Sequence, residues 1–232
     1  MKKNVLYTML FAVVALLVTS CGDKTSEGKS RFTYYPTIEL EGDTYLVWDK
    51  GTPFVDPGYT STMNGEDVTS EVMISGTPDV NKSGIYTMTY TTKKNDDGFD
   101  ASATRTVVVL DPNSEVEGFY LTQPDSYRSY NGNDVQYKAA YEILVIDNGD
   151  GTLTVDDLFG GWYCQRAGYG TKYACFGYIS LAEDGTVGYV DSIVPGWGDS
   201  LVDLNGTYAD GVFQIEAEYV SGMMFYQTWV KE

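Results

Sequence analysis

The chain has 232 residues, with 15 Lys and Arg against 33 Asp and Glu, no histidine and a formal charge of −18. An acid excess of that size repels phosphate backbones, so nucleic acid is excluded as a partner. Without histidine there is no Ser-His or Cys-His nucleophilic catalysis, no histidine-ligated zinc and no ordinary proton shuttle at neutral pH.

Lys2 and Lys3 precede a mostly apolar stretch, Leu6 to Val18, that is short for a membrane span and reads as a signal peptide over residues 1–20. Its end, Val18-Thr19-Ser20-Cys21, resembles a lipobox, which implies that Cys21 is acylated and holds the mature chain on a lipid bilayer. Several acyl chains are anchor enough, at roughly 0.8 kcal/mol per buried methylene. Loss of two lysines and no acid takes the charge from −18 to −20. Residues 21–31 are small and polar and predict a flexible tether. Asp23 and Glu27 near the anchor are a thin version of the acidic export tag of Bacteroides-type surface lipoproteins. That places the protein on the outer membrane facing the cell exterior, with the periplasmic face as the alternative.

From Phe32 onward, short segments rich in Val, Ile, Thr and Tyr alternate with Gly, Asn, Asp and Pro about every 8 to 12 residues, the signature of an all-β chain. Residues 32–112 suit one small sandwich, with strands expected at Thr37 to Leu40, Thr44 to Val47, Val68 to Ile74, Gly84 to Thr92 and Ala103 to Leu110. The last two form a hairpin around the charged loop Lys93 to Gly98, and Asp111-Pro112-Asn113 ends the unit. Four groups of residues carry a family resemblance: Gly51-Thr52-Pro53-Phe54-Val55-Asp56-Pro57-Gly58-Tyr59, then Gly65-Glu66-Asp67-Val68-Thr69, then Val80 followed by Ser83-Gly84-Ile85-Tyr86 and Tyr90, then the closing Arg105-Thr106-Val107-Val108-Val109. The segment over residues 38 to 111 resembles the bacterial immunoglobulin-like, HYR-related modules. That resemblance implies a spacer or presentation role with no shared catalytic residue. The longer Lys94 to Asp100 loop departs from the family pattern.

Residues 113–232 predict a second all-β unit, an antiparallel meander that closes as a barrel, lipocalin-like or otherwise, or folds as a sandwich. Strands are expected at Gly118 to Leu121, Tyr137 to Asp147, Thr152 to Val155, Gly161 to Gln165, Lys172 to Ser180, Thr186 to Val194, Leu201 to Tyr208, Val212 to Tyr219 and Met223 to Lys231. Turns are explicit at Asn148-Gly149-Asp150-Gly151, Glu183-Asp184-Gly185 and Ala209-Asp210-Gly211. An immunoglobulin-like module followed by a β domain of this length resembles two-domain Bacteroides-type lipoproteins, often associated with glycan uptake.

Cys164 and Cys175 flank the glycine-rich Ala167 to Lys172. On a hairpin they would face each other and bridge; the alternative is two reduced, buried thiols. The adjacent carboxylates Asp156-Asp157 and Glu183-Asp184 sit beside turns, and neighbours on a strand face opposite sides, which argues against paired-carboxylate hydrolysis. Asp147 to Gly151 fails the spacing of a calcium loop, and no metal or cofactor is expected. With 20 Tyr and 4 Trp, aromatics exceed what two small cores need. Sugars stack their CH faces on such rings. Glycine surrounds the rings of Trp162 and Tyr163, of Tyr169 and Tyr173, and of Trp197, and suggests exposure. Trp197, Trp162, Tyr163, Tyr169, Tyr173 and Asp199 are therefore the candidate ligand-binding residues. The expected function is a non-catalytic envelope lipoprotein that binds a glycan. The alternative is a structural or adhesive component meeting another outer-membrane protein.

Overall fold

The computed structural model describes residues 32–232; the signal peptide, Cys21 and the tether lie outside the described residues. The first unit contains β1 (Thr37–Leu40), β2 (Tyr45–Asp49), β3 (Tyr59–Met63), β4 (Glu66–Asp67), β5 (Met73–Ser75), β6 (Gly84–Thr91) and β7 (Ser102–Leu110). Strands β1, β3 and β4 form one sheet, and β2, β7, β6 and β5 the other, with β2 parallel to β7. Met88, Tyr90, Val107 and Val109 are buried between them, joined by Ile38, Leu46 and Trp48. Tyr86, Met88 and Tyr90 share the inner face of β6, as their even spacing requires.

The motif residues gather around one buried cation. Arg105 is fully buried and ion-paired with Asp56, which also accepts a hydrogen bond from Tyr90 Oη at 2.6 Å. The same guanidinium donates to the carbonyls of Glu41 and Gly58. The strand expected over Val68 to Ile74 is a correction. Asp67 Oδ1 accepts the Thr69 N–H at 2.8 Å and starts a 3₁₀ turn, Thr69–Glu71, leaving only the short β5.

The second unit contains β8 (Gly118–Thr122), β9 (Tyr127–Tyr130), β10 (Asn133–Gln136), β11 (Tyr141–Asp147), β12 (Thr152–Val155), β13 (Phe176–Leu181), β14 (Thr186–Ile193), β15 (Asp203–Ala209), β16 (Val212–Tyr219) and β17 (Met223–Lys231). All pair antiparallel, and β17 closes the circuit by pairing with β8 at Trp229↔Thr122 through Lys231↔Tyr120. The meander is thus a closed eight-stranded barrel. The β9–β10 hairpin lies outside the circuit, attached to β17 over Met224–Tyr226. Phe225, Gln227 and Trp229 alternate into the interior, as do Phe213, Ile215 and Ala217 of β16. Gln214, Glu216 and Glu218 face outward to solvent, the reverse of the apolar outer band of a membrane barrel.

One strand expected in this unit is not there, and another starts four residues late. Gly161 to Gln165 is a π-helical turn, Trp162–Arg166, and Lys172 to Ser180 opens with a 3₁₀ turn, Thr171–Tyr173, before β13. The segment expected as one strand from Tyr137 is broken by Lys138, whose φ of 67° cannot continue a ladder.

The units share a small apolar core. Val108 and Leu110 of β7 pack on Leu144 and Ile146 of β11, with Phe119 alongside. Both faces of β7 are therefore covered, which explains four consecutive buried residues, Val107 to Leu110. Glu117, 3% exposed, ties the units together: its carboxylate accepts from Ser83 Oγ at 2.8 Å, the Asp111 N–H and the Asp147 N–H at 3.1 Å.

Candidate functional site

The site rests on the long connection between β12 and β13. Its first residues turn into the barrel: Leu158 and Phe159 are fully buried, and Leu158 O accepts a hydrogen bond from the inward-facing Gln227 at 2.9 Å. Asp157 holds this entry. Its carboxylate is 2% exposed and accepts the backbone N–H groups of Phe159 (3.0 Å), Gly161 (3.1 Å) and Cys175 (2.9 Å). Burial pushes its pKa up to about 6, with those three donors pulling the other way. Gly161 adopts φ +82°, and a Cβ there would run into Tyr141. The chain can therefore reverse at that point only with glycine.

Beyond the reversal, Tyr163, Tyr169 and Tyr173 meet the turn that follows β14. Val194 anchors that turn, its carbonyl accepting the Trp197 and Gly198 N–H groups at 3.1 and 2.8 Å. The Trp197 ring sits 4.8 Å from Tyr163 at 88° and 4.9 Å from Tyr173 at 57°. Tyr169 lies nearly parallel to Tyr163 at 6.1 Å. Gly196 lets the rings meet, because a Cβ there would strike the Tyr173 ring. The result is an aromatic shelf on which Trp197 is 42% and Tyr169 56% exposed. Tyr169, Tyr173 and Trp197 line an open cavity of about 280 Å³.

Four of the six candidate rings and acids thus converge on the shelf, and two take other roles. Trp162 is a correction: it is 3% exposed, edge-on to Tyr137 at 4.9 Å, with the Arg128 and Arg166 guanidiniums 4.9 and 4.0 Å from its ring. Its flanking glycines serve the chain reversal, not exposure. Asp199 accepts Tyr219 Oη at 2.7 Å and its Oδ1 is shut off from solvent, so it braces the turn behind the rings and does not line the cavity. Tyr219 was not singled out by the sequence. It sits 6.3 Å from Trp197 and 4.9 Å from Phe159, linking shelf to core, and as the last residue of an alternating strand it carried no signal beyond inward periodicity.

The expected bridge is also corrected. Cys164 lies in the π-helical turn and Cys175 is buried just before β13; no hairpin joins them and both thiols are free. Burial raises the Cys175 pKa to about 12 and moves Cys164 in the same direction. Asp156 and Asp157 do not converge on a cavity, since Asp156 Oδ1 accepts the Leu144 N–H at 2.8 Å instead. Asp184 caps its turn through the Thr186 N–H at 2.9 Å. Among the described residues no group of three or more Cys, Asp or Glu is placed to hold a metal ion.

A family model for a bacterial surface protein Ig-like domain matches residues 38–109, and a second model, for a C-terminal domain, matches residues 109–231. The solved structure of the lipoprotein BT2262 from Bacteroides thetaiotaomicron is similar at 38% identity and a TM-score of 0.66, covering 85% of this chain and 100% of that one. The chain belongs to the BT2262 lipoprotein family. No curated protein matches. Neither the two family models nor BT2262 carries the name of an enzyme class.

In this family member two substitutions probe the site's support. Asp157→Ala strands three buried N–H donors at about 1 kcal/mol each, so the urea midpoint should fall by the equivalent of about 3 kcal/mol, with loss of near-ultraviolet dichroism from the shelf. Asp156 is pushed up to about 7 by burial, then by Asp157 and Glu142, from 3.8. Its folded pKa exceeds the unfolded one, so the stability linked to its proton is present at low pH and lost as pH rises toward 7. Asp156→Asn should match the parent near pH 4 and exceed it by about 1 kcal/mol at pH 8, after allowance for partial solvent screening. Paired denaturation curves across that range check the sign.

Proposed function

We propose that this protein is a non-catalytic, lipid-anchored surface protein that presents its barrel to the exterior and binds a glycan on the aromatic shelf. The observation that carries the reading is the convergence of Trp197, Tyr169 and Tyr173 around one open cavity, with two of the rings substantially exposed although the barrel core is already filled. Exposed rings held rigidly by edge-on neighbours offer sugar CH faces a platform at little entropic loss. The family supports the setting: BT2262 is a lipoprotein, and the first module is of a bacterial surface type. Acylation of Cys21 rests on the lipobox, and delivery to the outer face of the outer membrane rests on Asp23 and Glu27 beside it; both belong to this proposal.

A docking role toward an outer-membrane protein is the second reading. Tyr178, Val190 and Ile193 on β13 and β14 are 38%, 47% and 42% exposed, and with the exposed Asp191 opposite Tyr178 they form a mixed patch suited to a protein partner. Detergent extracts of native cells that yield the protein alone, with no stoichiometric neighbour, would remove it.

Two outcomes test the main reading. Trp197→Ala should weaken retardation in polysaccharide affinity gels at least tenfold, about 1.4 kcal/mol, while leaving the thermal midpoint within a few degrees. Equal migration of parent and variant through every plant, host and microbial polysaccharide gel would end the glycan reading. Cys21→Ala should move the protein from the membrane pellet to the soluble fraction; retention in the pellet would end the anchor.

A further inference from the structure

A second concave surface lies on the outer wall of the barrel, away from the shelf. The register sets it out. Asn205 faces Glu216, Glu216 faces Tyr226, and Tyr226 faces Tyr127 across four successive strands. Two residues along, Thr207, Gln214 and Thr228 make a parallel row. Because Leu204, Ile215 and Gln227 point inward, all seven side chains point out.

A polar outer wall alone would be ordinary; the concavity is not. Where β17 changes partner from β9 to β8, the turn Gln123 to Ser126 stands over it. Thr228 holds the turn, accepting the Gln123 N–H at 2.8 Å and donating its own N–H to Ser126 Oγ at 3.0 Å. Tyr127 and Tyr226, stacked at 4.8 Å and 22°, add an aromatic wall. Together they enclose a cleft of about 400 Å³, within the range of about 300–1,000 Å³ usual for small-ligand sites.

The hydrogen-bonding groups on its floor are largely unused. Thr228 Oγ1 donates to Gln214 Oε1 at 3.0 Å. The amide of Asn205, the amide NH₂ of Gln214 and the carboxylate of Glu216 make no side-chain hydrogen bond among the described residues, although the Glu216 charge acts on Tyr127. No Lys or Arg lines the cleft, and Glu216 and Asp125 are its only charges, so an anionic ligand would be repelled. Two amides, two hydroxyls, a carboxylate that accepts from hydroxyl groups and a tyrosine face form a donor and acceptor set for an uncharged polyol ring.

We infer that this cleft is a second carbohydrate site, which takes a neutral oligosaccharide independently of the aromatic shelf. It takes its ligand class from the glycan reading but shares no residue with the shelf. Amide NMR spectra of the folded, unlipidated chain can report both places in one titration with neutral gluco-, manno- and xylo-oligosaccharides, using tetragalacturonate and tetralysine as charged controls. The expected result is movement of the signals of residues 205–207, 214–216 and 226–228 with at least one neutral oligosaccharide and none with tetragalacturonate. The Asn205→Ala, Gln214→Ala double variant, altered only at outward positions, should bind at least tenfold more weakly. Cleft signals that stay still with every neutral oligosaccharide, or move only with tetralysine, would overturn the second site. Movement of Trp197 and Tyr169 signals alone would leave the shelf standing without the cleft. Movement in the cleft alone would do the opposite, and no movement at either would remove both.

Discussion

A closed eight-stranded barrel fills its lumen with side chains, but its mouth must also be stopped, and here a single carboxylate organises the stopper. Asp157 gathers three backbone N–H groups from both ends of the β12–β13 connection. That fixes Leu158 and Phe159 inside the barrel and sends the rest of the connection out across its end. Tyr163, Tyr169 and Tyr173 reach Trp197 only because their segment leaves the core at that place. The carboxylate is tolerated in an apolar setting because its oxygens accept three backbone N–H donors.

The same device recurs at the other two structural joints. Arg105 joins Asp56, Tyr90 and the loop carbonyls of Glu41, Asp43 and Gly58 in the immunoglobulin-like unit, and Glu117 joins Ser83, Asp111 and Asp147 between the units. Buried charges of this kind add little net stability compared with apolar packing. What they contribute is definition, since each has one arrangement in which all its partners are met. A barrel attached through Glu117 and the Val108, Leu110, Leu144, Ile146 core is carried by the first unit as a packed neighbour, not as a bead on a string.

Both the aromatic shelf and the polar cleft lie on the outside of the barrel. The interior is packed with Tyr120, Phe213, Phe225 and Trp229. The two concave places on the barrel wall differ in chemistry: rings crossing edge-on at the mouth, and a polar floor beneath paired tyrosines on the side.

The alternation of Val212 to Tyr219 and Met223 to Lys231, and the Asn, Asp and Gly turns between strands, were legible because they are local: period two names a face and a turn residue names a reversal. Strands Thr37–Leu40, Thr152–Val155 and these two sit where the pattern puts them. The immunoglobulin-like motif was legible for the same reason, although its purpose, a ring of acceptors around Arg105, was not. Periodicity names no partner, so closure of β17 on β8 and the detour of β9 and β10 were decided by which edges could meet in space. Glycine beside a ring has two meanings, exposure or close approach, and only packing separated Trp197 from Trp162. Composition, charge, the missing histidine and the strand rhythm came from the chain itself, being sums or short-range patterns. The shelf, the cleft and the fate of Cys164 and Cys175 depended on contacts between residues far apart in sequence, which only the folded barrel supplies.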